Sequence, residues 1–206
     1  MGILDWLRGG RRDGALQRWV VVDVETSGMD VTNDQLISIG AVAIVDGRVL
    51  PGDSLEIIVR QATASSRENI LVHGVGAKAQ LNGTDPQHAV RAFMDYGGRA
   101  PMLAFHAPFD RSFLARVTKH YVNQPFDNPW LDIAELAPAL EPKANLKSLD
   151  EWLKHYRIPV AVRHSAASDA FATALLMTRL LPEARRQGAP TFGDMQKLAR
   201  AAKWLQ

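Results

Sequence analysis

The sequence predicts an α/β domain: a mixed five-stranded sheet with helices on both faces. Three observations lead there. Valine-rich runs near the N-terminus are separated by turn signals and give a three-stranded antiparallel meander. Two short apolar runs, Met102–Phe105 and Trp130–Asp132, are each followed by a helix start. The rest of the chain is dominated by capped, amphipathic segments. A meander continued by strand–helix crossovers joins parallel strands to antiparallel ones, and the crossover helices cover the faces.

Trp19 to Glu25 (WVVVDVE) is an almost continuous apolar run ending in acids, as expected of a central strand covered on both sides. Gln35 to Val45 (QLISIGAVAIV) is a second strand. Asp46-Gly47 signals a type I′ turn into a third, around Leu55 to Val59, which Pro51 marks as an edge. Ser65 with Glu68 reads as a capping box, and Asp85-Pro86 as an N-cap with proline at the first helical position. A helix should begin near Pro108 after the fourth strand. In the fifth strand Asp132 is placed to cap a helix with Glu135 at its third position. Ser148 and Glu151 repeat the box, a long helix follows Ser168, and Thr191 opens a last amphipathic one. The coarse order is β-β-β-α-β-α-β-α-α, without internal repeats or low-complexity tracts.

At 206 residues the chain is long enough for one sizeable core, and its 47% hydrophobic and 22% charged content is ordinary for a soluble fold. We expect an N-terminal extension over 1–18, a core domain over 19–182 and a C-terminal helical extension over 183–206. The opening Met1–Leu7 is apolar but short and reads as a terminal turn of helix, followed by a basic linker at Arg8–Gly14. Trp6 stands where a myristoylation signal needs Ser or Thr. No apolar run reaches membrane-spanning length, so no membrane partner is expected and the setting reads as cytoplasmic. The chain has no cysteine, which excludes disulfides and thiolate metal sites and leaves carboxylates and imidazoles as ligands. A net charge of +2 with pI near 9.0 argues only weakly for a polyanionic partner. The argument strengthens if several carboxylates are neutralised by divalent ions.

Asp23 and Glu25 are the most informative pair. Two residues apart on a strand, they point to the same face, where like charges repel unless a cation or an arginine lies between them. Thr26-Ser27-Gly28 then breaks the strand into a loop able to approach a ligand closely. Asp110 follows the fourth strand in Phe105-His106-Ala107-Pro108-Phe109-Asp110; alone it would be explained as an acid complementing a helix dipole. Carboxyl ends of strands are nonetheless where α/β folds assemble sites. His164 and Asp169, five apart, cannot share a helical face, so His164 belongs on the loop and Asp169 in the first turn of the long helix. His106 is expected to be structural, packed under the strand end, while His88, His120 and His155 need no role beyond helix surfaces.

Together these residues are far more specific. Asp-x-Glu-Thr, His-x-Pro-Phe-Asp and His-x4-Asp follow one another in order within about 150 residues. From Trp19 to Leu181 the chain resembles the DEDDh group of DnaQ-like 3′→5′ exonucleases, of ribonuclease H-like fold, which includes the proofreading subunits of bacterial replicative polymerases. Val72-His73-Gly74-Val75 looks like that family's His-Gly-Ile segment, and Trp130-Leu131-Asp132 like its fifth strand. The sister subgroup carries tyrosine four residues before the last aspartate, where this chain has Ser165. One departure is Ala107, where the family commonly has asparagine.

The resemblance implies a two-metal-ion phosphodiesterase using Mg²⁺ or Mn²⁺. Asp23, Glu25 and Asp169 would hold the first ion, Asp23 and Asp110 the second, and His164 would act as general base. Imidazoles ordinarily titrate near neutrality, which suits that work. Thr26, Ser27, Gly28, Met29 and His73 would meet the terminal nucleotide, with Met29 as an apolar wedge or a loop filler. The implied partner is nucleic acid with a free 3′ end, single-stranded by preference and DNA before RNA. Lys197, Arg200, Lys203 and Trp204 on the last helix offer a strand-contacting face or simply a solvated basic one. An exoribonuclease, an oligonucleotide-degrading enzyme or a non-catalytic polymerase-docking module on the same framework stand as alternatives. The stretch after Leu181 is short for a polymerase-binding tail and carries no clear clamp-binding peptide. A free-standing enzyme is therefore preferred to one with a DNA polymerase or repair partner.

Overall fold

Strands Arg18–Thr26 (β1), Leu36–Val45 (β2), Arg48–Ile58 (β3), Met102–Ala104 (β4) and Trp130–Asp132 (β5) form one sheet in the spatial order β3-β2-β1-β4-β5. The computed structural model describes residues 17–160 and 163–203; the N-terminal segments read as a helical turn and basic linker, and Trp204, lie outside them. β1, β2 and β3 run antiparallel, and β4 and β5 continue the sheet parallel to β1. This is the mixed sheet that the apolar runs predict.

The helices are Arg67–His73 (α1), Ala77–Leu81 (α2), Pro86–Gly97 (α3), Ala107–Val117 (α4), Ile133–Leu140 (α5), Leu149–His155 (α6), Ala166–Arg186 (α7) and Phe192–Lys203 (α8). A wide π-type turn, Thr118–Val122, follows α4. The coarse order expected from sequence compresses these: three helices lie between β3 and β4, and four follow β5. The box at Ser148 and Glu151 forms in full, and Asp132 accepts from the Ala134 amide. One cap is displaced by a residue. Ser66, not Ser65, accepts from the Asn69 amide, because Ser65 is bonded instead to Gln80. The long helix starts at Ala166, ahead of Ser168, and runs without a break through residue 182 to Arg186.

β3 is longer than its sequence pattern implies. Asp46 and Gly47 both take positive φ, as a type I′ turn requires, and pairing with β2 starts at once at Arg48. The ladder then jumps, Ala43 facing Leu50 and Val42 facing Ser54, so Pro51–Asp53 bulge out. Proline is tolerated there because a bulge on an edge strand asks for no ladder hydrogen bond. Asp53 accepts a two-pronged bond from Arg18, whose guanidinium lies 4.7 Å from the centre of the Tyr96 ring.

Strand alternation divides the core in two. Trp19 and Val21 of β1, with Val42 and Ile44 of β2, pack against α5, α6, α7 and α8. Val20, Val22 and Val24 face the other way, toward Val90 and Phe93 of α3 and Phe113 and Leu114 of α4. Met195 and Ala199 of α8 are buried in the first of these cores, and the Phe192 ring meets Trp19 at 6.0 Å. Asp23 and Glu25 share the face of Trp19 and Val21, under the N-terminal end of α7.

Gly40 sets how closely that helix sits. It pairs with Asp23 across the β1–β2 ladder, and a Cβ there would lie 2.0 Å from the Ala166 carbonyl carbon. The first turn of α7 therefore rests directly on β2, which only glycine permits. We predict that Gly40→Ala lowers unfolding free energy by about 3 kcal/mol through overpacking. Gly52→Ala, whose Cβ would meet nothing within 4 Å, should change it by less than about 0.5 kcal/mol. Urea denaturation of the two variants measures the difference.

Candidate active site

β1 carries its acids past the point where β4 stops. β4 pairs with β1 only at Val20 and Val21, so the amide of Val24 has no strand partner on that side. It donates instead to Asp110 Oδ1 at 3.0 Å. That bond ties the first turn of α4 to the strand between Asp23 and Glu25, and Asp110 is buried there. His106 precedes the helix in a left-handed conformation (φ 65°), and its amide donates to Asp132 Oδ1 at 3.0 Å. Its ring is exposed, packed edge-on to Phe105, so the expectation of a histidine under the strand end is corrected: the backbone, not the ring, does the structural work. Ala107 is buried at the start of α4 and presents no polar group.

From the other side, α7 brings Asp169 in its first turn, as its spacing from His164 implies. Ligand atoms of Asp23, Glu25 and Asp169 lie within 4.8 Å of one another. Asp169 is buried, whereas Asp23 and Glu25 are partly open to solvent. His164 sits on the loop with φ 60° and its side chain exposed, and its amide donates to Asp169 Oδ2 at 3.1 Å. Arg163, beside it, pairs with Asp169 Oδ1 through Nη1.

The electrostatics are those of crowded acids. Lost hydration raises the Asp23 carboxyl well above its usual range, and Asp110, Glu25 and Asp169 add repulsion. Asp110 is raised by burial even though two backbone amides oppose the shift. Burial, reinforced by Asp169, lifts Glu25 to about 7. Ser38 stands opposite Glu25 in the β1–β2 ladder; it is 1% exposed and its hydroxyl has no hydrogen-bond partner among the described residues. An orphaned buried hydroxyl beside crowded carboxylates fits a site shaped for a hydrated cation, since buried polar groups ordinarily find partners. Oxygen donors without sulfur suit a hard divalent ion.

Beyond a register shift at Glu25/Thr26 the strand ends and the loop 27–35 begins. Thr26 Oγ1 donates to the Gly28 carbonyl at 2.6 Å, and Ser27 Oγ to Asp34 Oδ1 at 2.9 Å. Gly28 lies so close to Asp34 that a Cβ would come within 2.4 Å of its carboxylate. Met29, 80% exposed, crowns the loop. Leu71 and Val72 on α1 are exposed as well. His73 is buried, at 2% exposure, with both ring nitrogens engaged inside the chain. Nδ1 accepts from the Val75 amide at 2.9 Å, so the proton is on Nε2, which meets Asn69 Oδ1 at 2.8 Å. Asn69 Nδ2 in turn donates to the Thr26 carbonyl at 3.0 Å.

Four residues were not picked out from sequence. Asn69 carried a signal, its four-residue spacing from His73 on one helix. Gly40, Ser38 and Arg163 matter through contacts across strands and between helices, which no local pattern displays.

A mixed sheet with carboxylates gathered at the end of its central strand defines a ribonuclease H-like domain. The model of the RNase_T exonuclease family matches residues 20–177, and the chain belongs to that family, within its DnaQ-like branch. In sequence it is similar to a DNA polymerase III subunit epsilon-like protein of Rhodobacter capsulatus, 34% identical over 179 residues, covering 85% of this chain and 25% of that protein. It is also similar to a PolC-type DNA polymerase III of Lacticaseibacillus paracasei, 30% identical, covering 89% of this chain and 13% of that polymerase. The chain thus spans a quarter or less of the length of these relatives. In fold it is similar to Exonuclease X in complex with 5′ overhanging duplex DNA, with a TM-score of 0.68, 20% identity and coverage of 88% of this chain and 99% of that one. E. coli Exonuclease I in complex with a dT13 oligonucleotide gives a TM-score of 0.72 at 17% identity, covering 84% of this chain and 42% of that one. Among the described residues no helix is long and apolar enough to cross a membrane.

Burial lowers the pKa of His73, since its site holds the neutral ring. Its contribution to stability is therefore fully present above the ordinary value of about 6.5 and is lost as pH falls through the lowered folded-state value. We predict that His73→Gln, compared with the parent chain by thermal melting, shows a shallower loss of stability from pH 6.5 downward. An identical acid limb in both proteins would show that the ring does not titrate with folding.

Proposed function

We propose that this chain is a metal-dependent 3′→5′ exonuclease that releases nucleoside monophosphates from the 3′ end of DNA, preferring single strands. The observation that carries the reading is the convergence of Asp23, Glu25 and Asp169 within 4.8 Å, with Asp110 bonded to the backbone between the first two. Asp23, Glu25 and Asp169 would hold one Mg²⁺ or Mn²⁺ ion, and Asp23 with Asp110 a second. Bound there, such ions supply charge neutralisation at the scissile phosphate and a more acidic attacking water. Glu25 and Asp23 bind in their ionised form, so their raised proton affinity makes metal uptake stronger as pH rises toward neutrality and above.

His164 is the general base. Its side chain is exposed, and the bond from its own amide to the Asp169 carboxylate ties the loop that carries it to the acids. The ring takes a proton from the attacking water and releases it to solvent. Thr26, Ser27, Gly28 and Met29 form the wall met by the terminal sugar and base, with the Met29 thioether as the apolar surface. His73 acts on the same wall as a positioning residue, through Asn69 and the Thr26 carbonyl.

DNA as substrate is supported by relatives named as DNA polymerase III proteins and by fold neighbours held with DNA. An exoribonuclease acting through the same residues is the second reading, since none of these side chains is committed to reading a 2′-hydroxyl. A polymerase or repair partner would dock outside this site.

The test is release of mononucleotides from a 3′-labelled single strand. We expect activity with Mg²⁺ or Mn²⁺, none after chelation, and loss below detection in Asp23→Ala. Retained activity in Asp23→Ala would sink the catalytic assignment. His164→Ala should keep its calorimetric metal affinity while turnover falls by roughly 10²–10⁴, the range for a lost general base. Single-stranded DNA, mismatched duplex and RNA assayed together rank the substrates.

A further inference from the structure

Crowded carboxylates need a counter-charge, and among the described residues Arg163 is a cation that meets them. Its Nη1 pairs with Asp169 Oδ1, while its Nε donates to Asp150 Oδ1 at 2.6 Å. Asp150 belongs to the first turn of α6 and Asp169 to the first turn of α7, so one guanidinium ties two helix starts together. The arginine is only 24% exposed, whereas Asp150 is 64% exposed. The remaining oxygen of Asp169 accepts the His164 amide. Both oxygens of Asp169 are thus engaged by the chain itself, and a cation binding at Oδ1 competes with Arg163 for it.

The two anchors differ in kind. Asp169 lies among other carboxylates whose joint field rewards exchange of a single charge for a double one. Asp150 stands outward, at the rim, and loses nothing when a divalent ion arrives. A guanidinium cannot be deprotonated to leave, so it must move as a cation. Resting on the metal-binding reading above, we infer that Arg163 is a displaceable internal counter-ion for Asp169, yielding that carboxylate to the metal while Asp150 keeps it at the rim. Held by Asp150, the displaced guanidinium stays on the loop that also carries His164. Metal affinity is then set by a competition inside the protein, and Arg163 is a positioning residue, not a ligand.

Calorimetric titration of the full chain with Mn²⁺, without substrate, tests this. Arg163→Gln should bind Mn²⁺ more tightly by roughly fivefold, the scale of a partly exposed ion pair, and its metal-free form should melt at lower temperature. Arg163→Lys separates displacement from mere loss of charge. Lysine keeps the charge but is a point charge without the fork that spans both carboxylates, so its affinity should also rise, though less. Affinity at or below the parent value in Arg163→Lys overturns the inference, as does an unchanged or weakened Arg163→Gln. If the parent chain takes up no Mn²⁺, the metal reading itself falls and this inference with it.

Discussion

Like charges held side by side at the end of β1 are the constraint around which the rest of this molecule is arranged. Asp23 and Glu25 face one way because a strand alternates; Asp110 and Asp169 reach them from helices on opposite sides of the sheet. Gathering four carboxylates opposes folding, and two apolar cores, one per face, outweigh it. The two acids carried by helices are held in place by the chain: Asp110 by the Val24 amide, Asp169 by the His164 amide and Arg163, and the α7 start by its seat on Gly40. Crowded in this way, the carboxylates repel one another, and burial together with that repulsion raises the proton affinity of Asp23 and Glu25.

The rim follows a different logic. The loop after β1 is closed by its own hydroxyls and by Asp34, and α1 grips it from outside through Asn69. The buried neutral His73 stands behind Asn69, fixing which end of that amide faces Thr26. Beside the crowded acids the loop thus presents hydroxyls bonded within the chain and the exposed Met29.

Strands, crossovers and most caps were legible because each rests on a local signal. Valine runs, Asp46-Gly47, Asp85-Pro86 and the Ser148/Glu151 box give their elements directly. The Ser65 cap was misplaced by one residue because Ser65 and Ser66 are locally equivalent, and only Gln80, fifteen residues on, separates them. β3 is longer than the run around Leu55 to Val59 suggests, because a bulge that absorbs Pro51 leaves no local pattern. The burial of His73 and the exposure of the His106 ring depend on packing between elements. So does the Ser38 hydroxyl, whose meaning comes from lying opposite Glu25.

The two margins of the sheet have a bearing on what the chain can associate with. On one side β3 is kinked outward at Pro51–Asp53, and that kink is anchored by Arg18 and by the Tyr96 hydroxyl on the Asp53 carbonyl. On the other, β5 is three residues long, and Gln196 of α8 occupies its Trp130 carbonyl. A bulged edge and a three-residue edge are both poor templates for another strand. Among the described residues, growth of the sheet by strand addition is thus disfavoured at both margins, one for its bulge and one for its shortness.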